Sequence, residues 1–141
     1  YSLAQLQDYG RPFGDKSDLD LSVISNDLFG RVVATFNKFS TDWENGDVKP
    51  RNQGEGDIWK ENLKFGRQNI PRGFFDPKKI PTFDRYPVAQ LVGQTMWSLV
   101  YRLKSMSGVP RVSRASIRVY QDWASFIGRV SYNLMRVLQT Y

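Results

Sequence analysis

The sequence predicts an all-α fold: a helical bundle of three long helices and one short helix, with an N-terminal arm and a proline-rich connecting loop. Three observations predict it. Apolar residues recur at steps of three and four through three long stretches, the period of a helix with one buried face. Turn residues punctuate these stretches, with Asn45-Gly46 after the first and Gly108-Val109-Pro110 after the third. No stretch reads as strand alternation of useful length, as an internal repeat or as low complexity.

Residues 1–16 read as an extended arm, because Gly10, Pro12 and Gly14 interrupt their aromatics. The first helix is expected over 17–44, capped by Ser17 or Asp20. Leu21, Ile24, Leu28, Val32, Phe36, Phe39 and Trp43 form its stripe, and Asp18, Asp20 and Asp27 sit at the end that the helix dipole favours for acids. A polar loop leads to a short helix over 57–68, with Asp57 as its cap and Lys60, Lys64 and Arg67 at steps of four and three. Prolines at 71, 77 and 81 exclude continuous helix or central strand over 69–86. Ile70, Phe74, Phe75, Ile80 and Phe83 nevertheless make that segment an ordered loop, packed across the bundle or into a neighbouring copy. Pro87 suits the first position of a third helix, 87–107, striped by Val88, Leu91, Val92, Met96, Leu99, Val100 and Leu103. A final helix over 113–141 buries Trp123, Phe126, Ile127, Val130, Leu134, Val137, Leu138 and Tyr141. On its other side Arg111, Arg114, Arg118, Arg129 and Arg136 fall within roughly 60° at about 100° per residue.

At 141 residues, 40% hydrophobic and 14% aromatic, the chain is long and apolar enough for one domain with a real core. It has no cysteine and no histidine. Disulfide scaffolds, thiolate metal sites and cysteine nucleophiles are thereby excluded, and the commonest general base is missing. Glycines at 10, 14, 54 and 56 lack the strand and the Lys-Ser/Thr of a phosphate-cradling loop. The carboxylate pairs Asp18/Asp20 and Asp42/Glu44 lie where caps and dipole partners belong, and no calcium-loop spacing occurs. No enzyme activity, metal or cofactor is expected. No apolar run approaches the ~20 residues of a membrane span.

The formal charge of +6 is segregated: residues 1–48 carry net −4, 49–85 net +4 and 86–141 net +6. Such separation suggests contact with a polyanion or acidic partner, or head-to-tail contact between copies. Guanidinium groups match phosphate geometry with two parallel hydrogen bonds. The candidate phosphate contacts are Lys38, Lys49, Arg51, Lys60, Lys64, Arg67 and Arg72 in one cluster, and Arg111, Arg114, Arg118, Arg129 and Arg136 in the other. No base-reading motif accompanies them, so nucleic-acid binding is expected to be nonspecific.

Short motifs then point to a family. Ile80-Pro-Thr-Phe83, Val88-Ala-Gln-Leu91, Gly108-Val-Pro-Arg-Val-Ser-Arg-Ala115 and Tyr120-Gln121 resemble segments of the major coat proteins of filamentous archaeal viruses, the rudivirus and lipothrixvirus group. The resemblance spans about residues 80–121. It implies a C-terminal helical bundle with an N-terminal helical arm, and a virion assembled in the host cytoplasm. In that virion, coat subunits (copies of one chain or two paralogues) wrap double-stranded, A-form DNA in a helical filament, which in some members has a lipid envelope. Two alternatives remain: a basic bundle subunit docked on an acidic protein or membrane complex, and a peripheral membrane binder using the final helix.

Overall fold

Asp18-Leu-Asp-Leu-Ser-Val-Ile24 alternates polar and apolar residues, and a period of two builds a strand rather than a helix. In the computed structural model, which describes residues 18–109 and 112–139, this segment is β1 (Asp18–Ile24). There follow α1 (Asn26–Glu44), α2 (Gln53–Asn69), β2 (Phe74–Phe75), α3 (Pro87–Ser105), β3 (Arg114–Tyr120) and α4 (Trp123–Leu138). Turns of 3-10 helix at Ile70–Arg72 and Pro77–Lys79 flank β2.

The three strands form one sheet in the order β1-β3-β2. β3 runs parallel to β1, with Leu21 opposite Ile117 and Val23 opposite Val119, and antiparallel to β2, with Phe75 opposite Val119. Parallel neighbours need a long crossover; here it carries α1, α2, β2 and α3. Caps set the helix starts. The Leu28 N–H donates to Ser25 Oγ at 3.2 Å, the Glu55 N–H to Asn52 Oδ1 at 2.9 Å and the Ser125 N–H to Asp122 Oδ1 at 2.8 Å. Glu55 also accepts from the Arg51 N–H at 2.6 Å, reaching back across the start of α2.

The core lies where α1, α2 and the start of α3 meet the sheet. Val32, Phe36 and Phe39 of α1 pack with Trp59 and Leu63 of α2, Phe75, Ile80, Tyr86, Val92 of α3, and Val119 of β3. Aromatic edges hold it: Phe39 meets Trp59 at 5.2 Å and Tyr86 at 5.8 Å between ring centroids, and Phe36 meets Phe75 at 5.1 Å. The proline-rich segment is thus part of the core, supplying Phe75, Ile80 and Tyr86.

The all-α expectation is overturned by this sheet. The first helix starts at Asn26, not at 17, because residues 18–24 pair with β3. The short helix begins at Gln53 rather than 57, since Asn52, not Asp57, is its cap. The final helix begins at Trp123, not at 113, because Arg114–Tyr120 is the central strand and Asp122 caps the helix after it. The helical bundle implied by the coat-protein resemblance therefore does not describe this chain, whose Ser-Arg-Ala and Tyr-Gln motifs fall on or beside β3. The N-terminal arm, 1–16, and Tyr141 lie outside the described residues.

Close packing of α1 on α2 depends on Gly66, where a Cβ would run into the Phe36 ring, whereas Gly30 faces open space. Gly66→Ala is expected to destabilise the protein by roughly 1–3 kcal/mol through overpacking. Gly30→Ala is expected to stabilise it by about 0.5–1 kcal/mol through helix propensity. Urea melts of the two variants check both signs.

Candidate nucleic-acid interface

The sequence-predicted cations occupy three settings. On α2, Lys60, Lys64 and Arg67 form one exposed row, as their spacing requires. Lys60 pairs with Asp57 at 3.3 Å and Arg67 with Glu44 at 3.1 Å, while Lys64 has no ion pair among the described residues. Lys38 pairs with Asp42 at 3.0 Å, and Arg51 with Glu55 at 2.9 Å. Lys49 and Arg72 are exposed and without ion pairs among the described residues. The Lys60–Asp57 and Arg67–Glu44 pairs are exposed on both sides and contribute about 0–1 kcal/mol each, so an incoming phosphate can displace them at little cost; the carboxylates that hold Lys38 and Arg51 are largely covered.

The arginine stripe expected on one long helix is broken. Arg114 and Arg118 stand on β3, Arg129 and Arg136 on α4, and Arg111 lies outside the described residues. Arg114 meets Asp18 across the parallel pair at 3.4 Å. Arg118 is engaged more deeply: it donates to both oxygens of the buried Asp76, at 2.6 and 3.0 Å, with its guanidinium 5.2 Å from the centre of the Phe74 ring. Burial opposes its charge, but the Asp76 carboxylate outweighs burial and lifts the Arg118 pKa above the ordinary arginine value. Arg118 therefore serves the fold and is withdrawn from the set of free phosphate contacts. On α4, Arg129 lies over Phe74 at 5.3 Å and Tyr132 at 5.7 Å, and Arg136 lies over the Tyr132 ring at 6.0 Å.

Charge segregation along the sequence is partly cancelled inside the molecule. Asp18 meets Arg114, Asp42 meets Arg85 at 3.6 Å, Glu44 meets Arg67, and Ser116 donates to Asp20. Acidic early residues thus find later polar and basic partners within one chain. A groove of about 450 Å³ between α3 and the β1–β3 ends shows the same mixture, with Asp18 and Asp20 beside Lys78, Lys104 and Arg114. Its mixed sign makes it a poor seat for a polyanion.

Periodicity in the sequence does not reveal how much apolar surface stays open. None of the described residues of α4 is buried. Trp123, Ile127, Leu134 and Leu138 fall within about 60° of one another at 100° per residue, and Trp123 and Leu138 are each 65% exposed. The outer part of α3 is similar: Trp97 stacks on Tyr101 at 6.4 Å between centroids, with Trp97 75% exposed. The α4 stripe, expected as core, keeps its helical period, but a period does not name the surface that covers it. The rings that lie against Arg129 are Phe74, read from the sequence only as part of a packed loop, and Tyr132, which the sequence does not single out. The Arg129/Tyr132/Arg136 spacing of three and four is the available signal.

Compared with known proteins, the chain matches no family model, no curated protein and no solved structure. Among the described residues no helix is long and apolar enough to cross a membrane, and no cluster of acidic residues could hold a metal ion.

Two buried groups couple the fold to pH. Tyr86 donates to Asp42 Oδ2 at 2.8 Å inside the core. Hydrogen bonds from Lys38 and then Tyr86 hold the Asp42 carboxyl below its ordinary pKa. That contribution is present above the unfolded carboxylate pKa of about 4 and is lost as pH falls through the lower folded value. Burial first, and Asp42 second, push the Tyr86 phenol well above its ordinary value. Its contribution is complete below the unfolded tyrosine pKa of about 10 and is lost as pH rises past it, because the unfolded chain releases that proton first. Melting temperature followed across pH should fall at both extremes, and Tyr86→Phe should flatten the alkaline fall while lowering the plateau. An unchanged alkaline limb in Tyr86→Phe contradicts this assignment.

Proposed function

We propose that the chain is a non-enzymatic coat subunit that self-assembles into a helical filament, as in a virion, and packs double-stranded DNA nonspecifically through phosphate contacts. The observation that carries this reading is the bare apolar stripe of α4. Large contiguous apolar surface on a folded domain marks an interaction site, and here the stripe runs the length of one helix, with the exposed Trp97/Tyr101 face of α3 as a separate apolar surface. A net charge of +6 supports a polyanionic cargo. So do the exposed row on α2 and the cations Lys49, Lys64 and Arg72, which have no ion pair among the described residues. The short motifs that resemble segments of filamentous archaeal virus coats support the type of assembly.

A second reading rests on the same exposed stripe: α4 docks its apolar face on a larger acidic protein or membrane complex, while Arg129 and Arg136 project from the opposite side of the helix. It predicts a subunit that stays monomeric alone and ignores bare DNA.

Sedimentation and gel shifts with random duplex separate the two. The coat reading predicts assemblies whose duplex affinity falls roughly a thousandfold between about 50 and 200 mM salt, for about six phosphates neutralised. Ile127→Asp with Leu134→Asp should block assembly while changing monomer stability by only about 0.5 kcal/mol, because both residues are exposed. Salt-independent affinity, or a compact monomer at all concentrations with DNA present, contradicts the coat reading.

A further inference from the structure

Phe74 carries two guanidinium groups, and they differ in one respect. Arg118, 5.2 Å from the ring centre, is answered by both oxygens of Asp76; Arg129, 5.3 Å from it, is answered by no carboxylate among the described residues. The Nε of Arg129 is buried and has no hydrogen-bond partner among the described residues. A buried charged donor left without an acceptor is costly, and native proteins rarely retain one without an occupant for it.

That guanidinium lines a pocket of about 340 Å³ between the turn before β2 and the first turns of α4. Arg72 contributes a second guanidinium from the turn, Ser125 and Tyr132 contribute hydroxyls, and no carboxylate of the described residues lines it. The walls are fixed. Gly73 has φ 81°, and a Cβ there would collide with Ser125 Oγ, so the turn sits directly against α4. The Gln121 N–H donates to the Gly73 carbonyl at 2.8 Å, and Asp122 pins the helix start through the Ser125 N–H. Gly128 leaves the floor open, with nothing within 4 Å of where its Cβ would lie.

We propose that this pocket is a phosphate site, and that its occupant is a backbone phosphate of the DNA. The choice of DNA rests on the coat reading; the phosphate site does not. Two guanidinium planes and two hydroxyls around one cavity offer donors from several directions. A tetrahedral phosphate accepts from several directions and pairs with arginine through two parallel hydrogen bonds. Phe74 and Tyr132 both lie against the Arg129 guanidinium, their ring centres 5.3 and 5.7 Å from its central carbon. The position is hidden in the sequence because Arg72 and Arg129 are far apart along the chain.

The test uses the full chain and two probes. In the first arm, inorganic phosphate is titrated while the Arg129 Nε–Hε and Ser125 amide resonances are followed. Saturable shifts at both are expected in the wild type; at the Ser125 amide, the probe that survives substitution, a weaker response is expected in Arg129→Lys and none in Arg129→Gln. In the second arm, random-sequence duplex is titrated against wild type and Arg72→Gln/Arg129→Gln. The double variant is expected to lose roughly tenfold or more in affinity, with the slope of log affinity against log salt reduced by about 1 to 2. Lys104→Gln, exposed and outside both the pocket and the candidate phosphate contacts, serves as a charge control, and circular dichroism verifies that each variant is folded.

Absence of a saturable phosphate response in folded wild type overturns the site, whatever the duplex does. Phosphate binding with no duplex binding by wild type keeps the site and removes both its proposed occupant and the coat reading. Duplex binding equal in wild type and double variant keeps the coat reading and overturns the assignment of this pocket to DNA.

Discussion

Among the described residues, β3 is the only strand with neighbours on both edges: β1 pairs along one side, and Phe74–Phe75 along the other. Its inward residues Ile117 and Val119 close the core under α1, while Arg118 locks it to Asp76. Removing that arginine would leave a carboxylate with a side chain only 10% exposed and unpaired, a loss on the order of 3 kcal/mol. The sheet is too small to stand alone, because β2 adds only two residues to what is otherwise a two-stranded ribbon, which is marginal in water without a helix packed on it. Pairing of β3 with β1 and packing of α1 on the sheet therefore stand or fall together.

The same strand decides what the surface offers. By ending at Tyr120, it turns the chain out of the core, and Asp122 starts α4 afresh on the outside. Phe126 keeps an edge-on contact with Tyr120 at 5.2 Å, which anchors one side of the helix. The Trp123–Leu138 stripe is left facing outward. Had 113–141 been one helix, that stripe would have been bundle core and the arginines one continuous row. Instead the arginines divide between work inside the fold, at 114 and 118, and work at the surface, at 129 and 136. The bare stripe and the pocket proposed for phosphate thus share one structural cause.

Much of the helical part is legible from spacing. Val32, Phe36, Phe39 and Trp43 mark the face of α1, Pro87 marks the start of α3, and the Lys60/Lys64/Arg67 row is exposed as its period requires. Both long strands escape a reading by period for the same reason: positions four apart share a face in a helix and also in a strand, since four is close to one helical turn and is also a multiple of two. Arg114 and Arg118 fit either element, and Leu21, Ile24 and Leu28 continue the α1 stripe backwards through residues that alternate as a strand. The deciding partner of residues 18–24 lies at 114–120, a distance along the chain that no local pattern reports. For the site, the residue types are legible and the pairings are not. Arg72 and Arg129 can be named as cations, but their convergence on one pocket depends on the turn at Gly73 meeting Ser125.

The most direct measurement of this arrangement is solution NMR of the isotope-labelled chain across residues 113–138. A central β3 requires strong sequential Hα–HN contacts over 114–120, cross-strand contacts from Leu21 to Ile117 and from Val23 to Val119, and helical HN–HN contacts beginning only at Trp123. Unbroken helical HN–HN contacts from Ser113 through Leu138, with no contact to residues 18–24, would contradict it.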